Sequence, residues 1–263
     1  MAIGSFQENV SGSRLYVQGL FETSATQKQR LGTIRVLEDG RRFVYCQATA
    51  AQLAAGVCVS KAVAPQALTV AALDAAQNVV GALTLYFTLT GAPTLNLYKD
   101  GMLVMTLNEG VGEMYKVKGN SADNDPATGR FTVNLYDALK TTHVAASSTA
   151  DIYANPYDGV LINPAVADGD ATTGEKILGV TTRIVAASYY FWAQTWGLAS
   201  VLLDIDAAAG SEADERVLVP GTTAGRLLLS AAGAENDQQV YGYPLETSDQ
   251  DDAEAALVDL KIS

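Results

Sequence analysis

The sequence predicts an all-β protein, a β-barrel or β-sandwich with few or no helices, and three observations lead to this expectation. Short runs in which apolar and polar residues alternate follow one another along the 263 residues. Clusters of Gly, Asn, Asp and Pro separate these runs at the spacing typical of sandwiches and barrels. Amphipathic patterns longer than about three helical turns are missing. Apolar residues make up 48% of the chain, so a substantial core is expected.

The strands follow a predicted extended N-terminal arm, residues 1–27, which is rich in Gly, Ser, Gln and Thr. We predict strands at Gly32–Leu37, Arg42–Ala48, Val57–Val63, Leu68–Leu73, Val80–Leu89, Thr94–Tyr98, Leu103–Leu107, Glu113–Lys118, Arg130–Tyr136, Asp151–Ala154, Glu175–Val185, Tyr189–Thr195, Ala199–Ile205, Arg216–Val219, Arg226–Leu229, Gln239–Pro244 and Ala256–Ile262. The Asp39-Gly40 turn between the first two strands is a strong hairpin signal. The alanine-rich segment 48–55 predicts one or two helical turns that end at Gly56. Gly197 is expected to allow a tight bend between the strands that flank it.

One strand, Tyr189–Thr195 with the adjoining Trp196, concentrates the aromatic residues and includes both tryptophans of the chain. With a period of two, Tyr190, Trp192 and Trp196 lie on one face and Phe191 lies on the other. Large aromatic side chains on both faces indicate that each face is at least partly covered. The strand is therefore expected either in a core or in a subunit interface.

Charge is distributed unevenly along the chain, whose formal net charge is −12. Residues 166–263 carry 16 acidic and 5 basic side chains, whereas residues 1–65 carry 4 acidic and 7 basic ones. Phosphates repel so acidic a protein, and we expect no nucleic-acid partner. The basic residues near the N-terminus either dock on an acidic protein surface or are solvated charges that keep strand edges from aggregating. They are Lys28, Arg30, Arg35, Arg41 and Arg42.

No apolar run approaches the length of about 20 residues that a membrane span requires. The N-terminus also lacks a basic region followed by an apolar one, which is the pattern of a signal peptide. We therefore expect no membrane partner, no signal peptide and synthesis in the cytoplasm.

The residue types that usually carry chemistry are sparse. Cys46 and Cys58 are expected as two buried thiols on adjacent strands, with a disulfide as the alternative. His143 is the only histidine and is expected at the surface, without a catalytic partner. Two loops rich in Asp and Asn, 120–125 and 168–175, lack the spacing of an EF-hand and are interpreted as turns. The sequence thus predicts no catalytic, cofactor-binding or metal site and no cofactor.

Several segments resemble, in chain order, signature strings of a group of tailed-bacteriophage virion proteins. That group has a "DGR-x-F-x-Y" hairpin followed by an "L-x-x-G" turn, an "NPY-x-G-V" segment, a "GYYFWLQTWG" strand and a C-terminal "LVDL" strand. The similar segments here are Glu38–Ala48 with Leu53–Gly56, Ala154–Val160, Gly179–Val180 with Tyr189–Gly197, and Ala256–Ile262. Residues 66–150 resemble the group only in their general β character.

The resemblance implies a capsid decoration, or cement, protein that binds the outside of the phage head and stabilises the shell, often as a trimer. The implied partners are the major capsid protein and other copies of this chain, and the implied location is the outer capsid surface of the virion. No enzymatic activity is implied. The candidate contacts to the capsid or within the trimer are Arg30, Arg35, Arg41, Arg42, Tyr190, Trp192 and Trp196.

Because the resembling segments lie toward both ends of the chain, we expect residues 28–65 and 166–263 to form one capsid-proximal barrel or sandwich. Residues 66–165 are then an inserted β-domain. Two other functions stay open: a head fibre or adhesion protein whose insert binds host-surface glycans, and a β-rich hydrolase. The glycan alternative predicts exposed aromatic side chains in the insert, for which the candidates are Tyr86, Tyr98, Tyr115 and Tyr136.

Overall fold

The computed structural model describes residues 16–61, 68–73, 78–88, 93–122, 130–143, 148–164, 176–204, 217–230, 240–245 and 255–262. These residues form strands and no helix, which confirms the predicted all-β class. The strands are β1 (Ile34–Val36), β2 (Arg42–Gln47), β3 (Cys58–Lys61), β4 (Leu68–Leu73), β5 (Thr84–Thr88), β6 (Met102–Leu107), β7 (Met114–Asn120), β8 (Arg130–Leu135), β9 (Thr149–Tyr153), β10 (Val160–Ile162), β11 (Ile177–Thr181), β12 (Tyr190–Asp204), β13 (Val217–Pro220), β14 (Leu227–Ser230), β15 (Gly242–Pro244) and β16 (Ala255–Lys261). The chain divides into two compact units: unit 1 is residues 1–63 with 157–263, and unit 2 is residues 64–156.

Unit 1 is built around β12, a strand of 15 residues. The first half of β12 pairs with β2 from Tyr190 to Trp196, and the second half pairs with β16 from Trp196 to Leu202. The pairings β12–β14, β14–β13, β13–β15, β15–β16 and β16–β12 form a closed ring of five strands. On the other side, β11, β3 and β10 extend the sheet in that order, and β1 pairs with β2.

The core of unit 1 confirms that both faces of the aromatic strand are covered. Phe191 and Ala193 pack on one face with Val44, Leu53 and other apolar residues of β2, β3 and β11. Trp192 packs on the opposite face. Inside the five-strand ring, alternate residues of β12 and β16 form a third cluster with β13 and β14. The period of two thus buries apolar side chains on whichever face meets another layer.

Unit 2 is a closed barrel of six antiparallel strands in the order β4-β5-β8-β7-β6-β9. Burial alternates along β6 and β9, so every second side chain points into the barrel. Phe87 and Phe131 are both fully buried, with ring centroids 6.2 Å apart. Closure leaves no free edge among these strands, which protects the unit against pairing with other chains.

The boundaries of the insert differ from the predicted ones. We expected residues 66–165 to be inserted, but β10 pairs with β3 and belongs to unit 1. Strand β10 has three residues, which are too few to show the alternating pattern by which a strand is predicted. Of the predicted arm, residues 1–15 lie outside the described residues. Residues 16–27 are not a free arm, because Gln18 is buried and Ser24 exchanges backbone hydrogen bonds with Tyr190.

Three local predictions were wrong. Residues 48–55 form bridges and a turn instead of helical turns, although Gly56 has the expected left-handed conformation, with φ of 72°. Residues Thr94–Tyr98 form turns and not a strand. The strands expected on either side of Gly197 are one continuous strand, β12, in which Gly197 has a φ of 80°.

Candidate functional site

Trp192 lies in the core of unit 1 and is only 1% exposed. Its ring packs edge-on against Tyr45, with centroids 5.0 Å apart, and against Tyr16 at 5.5 Å. The indole N–H donates to the backbone oxygen of Gln18 at 3.2 Å. Trp192 therefore stabilises the fold of this chain, and its side chain is not accessible to a partner. This answers the choice between core and interface that the sequence left open.

Trp196 lies on the opposite face of the sheet from Trp192, contrary to the prediction that they share one. The register shifts between Gln194, which pairs with Phe43, and Trp196, which pairs with Arg42. An extra residue in one strand is a β-bulge, and it reverses the alternation of all the side chains that follow. The bulge brings Trp196 to the face that carries Arg42.

Two cations hold the half-buried ring of Trp196. The Arg42 guanidinium lies 5.2 Å from the ring centroid and the Lys261 ammonium lies 4.3 Å from it. Lys261 also pairs with Asp259 at 2.9 Å. Cation–π contacts of this kind orient long side chains that would otherwise move freely in solvent.

A groove of about 280 Å³ runs beside β1 on the Trp196 face, and we call it the β1 groove. Apolar side chains form its floor, and none of the lining residues that the structure describes is acidic. Two cations, Arg42 and Lys176, are exposed at its margin. Its principal lining residues are Ile34, Val36, Arg42, Lys176, Trp196 and Ile262. The groove combines apolar surface with positive charge in a protein that is strongly acidic as a whole.

Along this groove, the outer edge of β1 is not paired with any strand in the described ranges, and we call it the open edge of β1. The Leu37 N–H donates to the backbone oxygen of Arg41 at 2.9 Å, and the Tyr45 N–H donates to the backbone oxygen of Thr33 at 3.0 Å. Because hydrogen bonds alternate along an antiparallel pair, the backbone groups of Ile34 and Val36 point away from β2. The Tyr16 hydroxyl donates to the outward carbonyl of Ile34 at 3.1 Å. The Ile34 and Val36 side chains are 60% and 41% exposed, which is unusual for an edge strand.

The remaining predicted contact residues are distributed over several surfaces. Arg35 donates to the backbone oxygen of Gln18 at 3.2 Å and lies over the rings of Tyr16 and Trp192, so it supports the core. Arg41 pairs with Asp39 at 2.6 Å. Arg30 is exposed, and its backbone oxygen accepts from Thr33. Tyr190 is partly buried and stacks on Tyr45 with centroids 6.0 Å apart.

Of the seven predicted contact residues, the structure brings Arg42 and Trp196 together in the β1 groove. Sequence reasoning missed Ile34, Val36 and Lys176. Ile34 and Val36 alternate with Arg35, a pattern that signals a half-buried strand, but a sequence does not tell which face is buried. The exposed face here is the apolar one.

Both cysteines are free and fully buried, as the sequence predicted. Burial raises the pKa of each thiol, so neither is a reactive thiolate at neutral pH. They are not on adjacent strands, however. Cys46 lies in β2 and Cys58 in β3, and β11 and β12 lie between those strands.

His143 is fully buried in unit 2, so the prediction of a surface position was wrong. Neither ring nitrogen has a hydrogen-bond partner in the part of the chain that the structure describes. Glu113 lies close by, and its carboxylate accepts from the hydroxyls of Tyr115 and Thr141. Burial opposes ionisation of the Glu113 carboxyl, but these two hydrogen bonds and the electrostatic interaction with His143 outweigh burial and lower the Glu113 pKa. The described residues contain no group of His, Cys, Asp or Glu suited to a metal ion.

The two loops rich in Asp and Asn, 120–125 and 168–175, were predicted to be turns and not calcium sites. Asn120 is buried, and its side chain bonds the backbone of Tyr98, Thr94 and Ser121, which is a turn-stabilising role. The other Asp and Asn residues of these loops, from 123 to 125 and at 168 and 170, lie outside the described residues.

The aromatic side chains proposed for glycan binding are not a shared exposed surface. Tyr98 and Tyr115 are 2% and 4% exposed and belong to the core of the unit 2 barrel. Tyr86 and Tyr136 are partly buried, and the Tyr136 hydroxyl donates to Asp100 at 3.2 Å.

Comparison of the chain with protein-family models, with curated proteins and with solved structures gives no match. Within the described ranges there is also no helix with the length and apolar character of a membrane span.

Proposed function

We propose that this protein is a capsid decoration protein of a tailed bacteriophage, which binds the outer surface of the head and stabilises the shell without catalysing a reaction. The observation that carries the proposal is the arrangement of the segments that resemble such virion proteins. Those segments contribute β2, β11, β12 and β16, and the other three strands all pair with β12. Strings that are far apart in sequence thus form one continuous sheet, as expected if they specify one shared domain.

The proposal includes self-association as a homotrimer and binding to the major capsid protein. A shell under internal pressure opens along boundaries between capsomers, and a protein that bridges such a boundary adds interface free energy there. Interfaces of about 1,600 Å² range from weak to very tight according to their anchoring residues. Several contacts from one trimer reinforce each other through their high effective concentration. The protein is made in the host cytoplasm and acts on the virion.

The test compares virions that carry this protein with virions from which its gene has been deleted. We expect the deletion virions to release their DNA at a lower temperature, measured by the fluorescence of a DNA-binding dye during heating. Adding purified protein to deletion virions should restore the release temperature. Equal release temperatures with and without the protein would contradict the stabilising role.

The oligomeric state is tested separately by measuring the mass of the purified protein in solution. A chain of 27.6 kDa should give a particle of three times that mass. A monomer at all concentrations would contradict the trimer and leave capsid binding to be tested by sedimentation with shells.

A further inference from the structure

We propose that the β1 groove is a docking site for an extended segment of a partner protein that carries apolar and acidic side chains on one face. The segment adds to the open edge of β1 as a further strand. This inference deepens the proposed function, since it names the surface that receives the capsid partner, and it rests on that function for the partner's identity.

The backbone of β1 has the geometry that an added strand requires. The outward backbone groups of Ile34 and Val36 lie on an edge that no described strand pairs, and among the described residues the Tyr16 hydroxyl bonds the Ile34 carbonyl there. Natural edge strands are normally protected by charge, proline or a bulge, whereas β1 exposes two aliphatic side chains. An extended peptide gains main-chain hydrogen bonds at such an edge and places alternate side chains beside it.

The β1 groove combines apolar and positively charged residues. Its floor includes Ile34, Val36 and Ile262, which an apolar side chain of the added strand would cover. Its margin carries Arg42 and Lys176, and no carboxylate is among its described lining residues. Arg42 is already oriented by its contact with Trp196, so less side-chain entropy is lost when it pairs with a carboxylate. These features select an occupant that is acidic as well as apolar.

A second copy of this chain fits the groove less well. The unit 2 barrel and the five-strand ring of unit 1 are closed, and the outer side of β10 is bridged at Val160 to Ala48. Among the described strands, the edge of β1 is therefore the one with which a second copy would pair. Pairing β1 with β1 would bring the cations of two copies, Arg42 and Lys176, toward each other. Like charges facing across an interface disfavour that pairing.

The binding test uses the purified full chain and a labelled synthetic peptide, acetyl-Thr-Val-Thr-Glu-Thr-Val-Thr-Glu-amide, whose period of two places Val and Glu on one face. Fluorescence anisotropy should show saturable binding that weakens with added salt. A control peptide with Lys in place of Glu should bind at least tenfold more weakly. Failure of the acidic peptide to bind, or equal binding of both peptides, overturns the inference.

Variants locate the peptide on the groove. Val36→Pro removes an outward N–H that the β1–β2 pair does not use, so the fold is kept and peptide affinity should fall at least tenfold. Val36→Thr keeps the N–H and the shape, and its affinity should stay within about threefold. Lys176→Glu should weaken binding, whereas Ile184→Asp, at an apolar side chain that is 59% exposed away from the groove, should not. Binding that is unchanged in Val36→Pro and Lys176→Glu overturns the proposed site.

Two further readouts separate this inference from the proposed function. If Val36→Pro changes the oligomeric state of the purified chain, the groove is an interface between copies and the inference is wrong. If deletion virions take up Val36→Pro as well as the wild-type protein, the groove is not the capsid contact, although decoration itself stands. If the peptide binds but virions take up no wild-type protein, the groove stands and the decoration function fails.

Discussion

Trp192 is the largest fully buried side chain of the described residues, and its contacts connect the N-terminal residues 16–18 to β12. Trp192→Ala leaves a large cavity and removes these contacts, so we expect a loss of about 3 to 5 kcal/mol in the free energy of unfolding. Both tryptophans belong to unit 1, so the remaining Trp196 reports on that unit alone by fluorescence in urea. The control Trp196→Ala, at a half-buried position, should cost much less. A loss below about 1 kcal/mol for Trp192→Ala would contradict the core assignment.

His143 is a buried polar residue whose nitrogens have no partner among the described residues, which costs stability. His143→Leu removes the polar atoms and should stabilise unit 2 by about 1 kcal/mol, measured by calorimetric unfolding at neutral pH. The matched variant His143→Gln keeps a buried polar group and should give no gain. If His143→Leu destabilises unit 2 and His143→Gln does not, the imidazole forms a hydrogen bond in solution, and the prediction is wrong.

Asp204 links β12 to the turn after β13. Burial opposes its ionisation, but hydrogen bonds from Thr222 and Thr223 and the charge of Arg226 outweigh burial and lower its pKa. A lowered pKa means that this stabilisation is fully present above the unfolded-state pKa of about 3.9 and is lost as the pH falls below it. Asp204→Asn should therefore cost about 2 kcal/mol at pH 7, with the deficit narrowing toward pH 3. A deficit that does not change with pH in urea unfolding would contradict this role.

At the scale of single elements, β12 shows how much of the fold can be predicted from sequence. Its aromatic half and its apolar half were both found as strands, since strong alternation with large residues is an unambiguous signal. The bulge near Thr195 was not predicted. A bulge depends on the register between β12 and its partner β2, and no local residue pattern indicates it. Because of the extra residue at the bulge, Trp196 lies on the opposite face from Trp192 and lines the β1 groove, while Trp192 lies in the core.

Gly197 lies where β12 exchanges β2 for β16 as its partner, and its φ is 80°. A Cβ at this position would lie 3.1 Å from Arg41 Cγ and would be in the left-handed region. Gly197→Ala should destabilise unit 1 by about 1 to 2 kcal/mol. Gly19→Ala, where a Cβ meets nothing closer than 3.6 Å and the φ is not positive, is the control and should change little. Equal stabilities of the two variants in urea would show that β12 relaxes around the methyl group.

The same limit applies to β1 and β10. The Asp39-Gly40 signal correctly predicted the β1–β2 hairpin, because the turn chemistry is local. The open edge of β1 and the position of β10 depend on which distant strands pair, and three residues carry too little pattern to show it. The β1 groove could therefore not be predicted from the sequence, although one of its cations, Arg42, and one of its aromatic residues, Trp196, were among the predicted contact residues.

At the scale of the whole molecule, the two units each have their own core. Unit 2 contains every strand of its closed barrel, so residues 64–156 should fold when expressed alone. We expect a β-type circular dichroism spectrum and a cooperative thermal transition that matches one transition of the full chain. A fragment that lacks a cooperative transition would show that unit 2 depends on unit 1.

The entry and exit points of unit 2 lie on neighbouring strands of unit 1. The chain leaves after β3 and returns at β10, and Lys61 is paired with Val160. Paired residues in an antiparallel sheet lie about 5 Å apart, so the host sheet is complete whatever is spliced between these two positions. The β3–β10 pairing therefore places no demand on the sequence of unit 2, so a different folded domain can occupy this position while the sheet of unit 1 keeps its register.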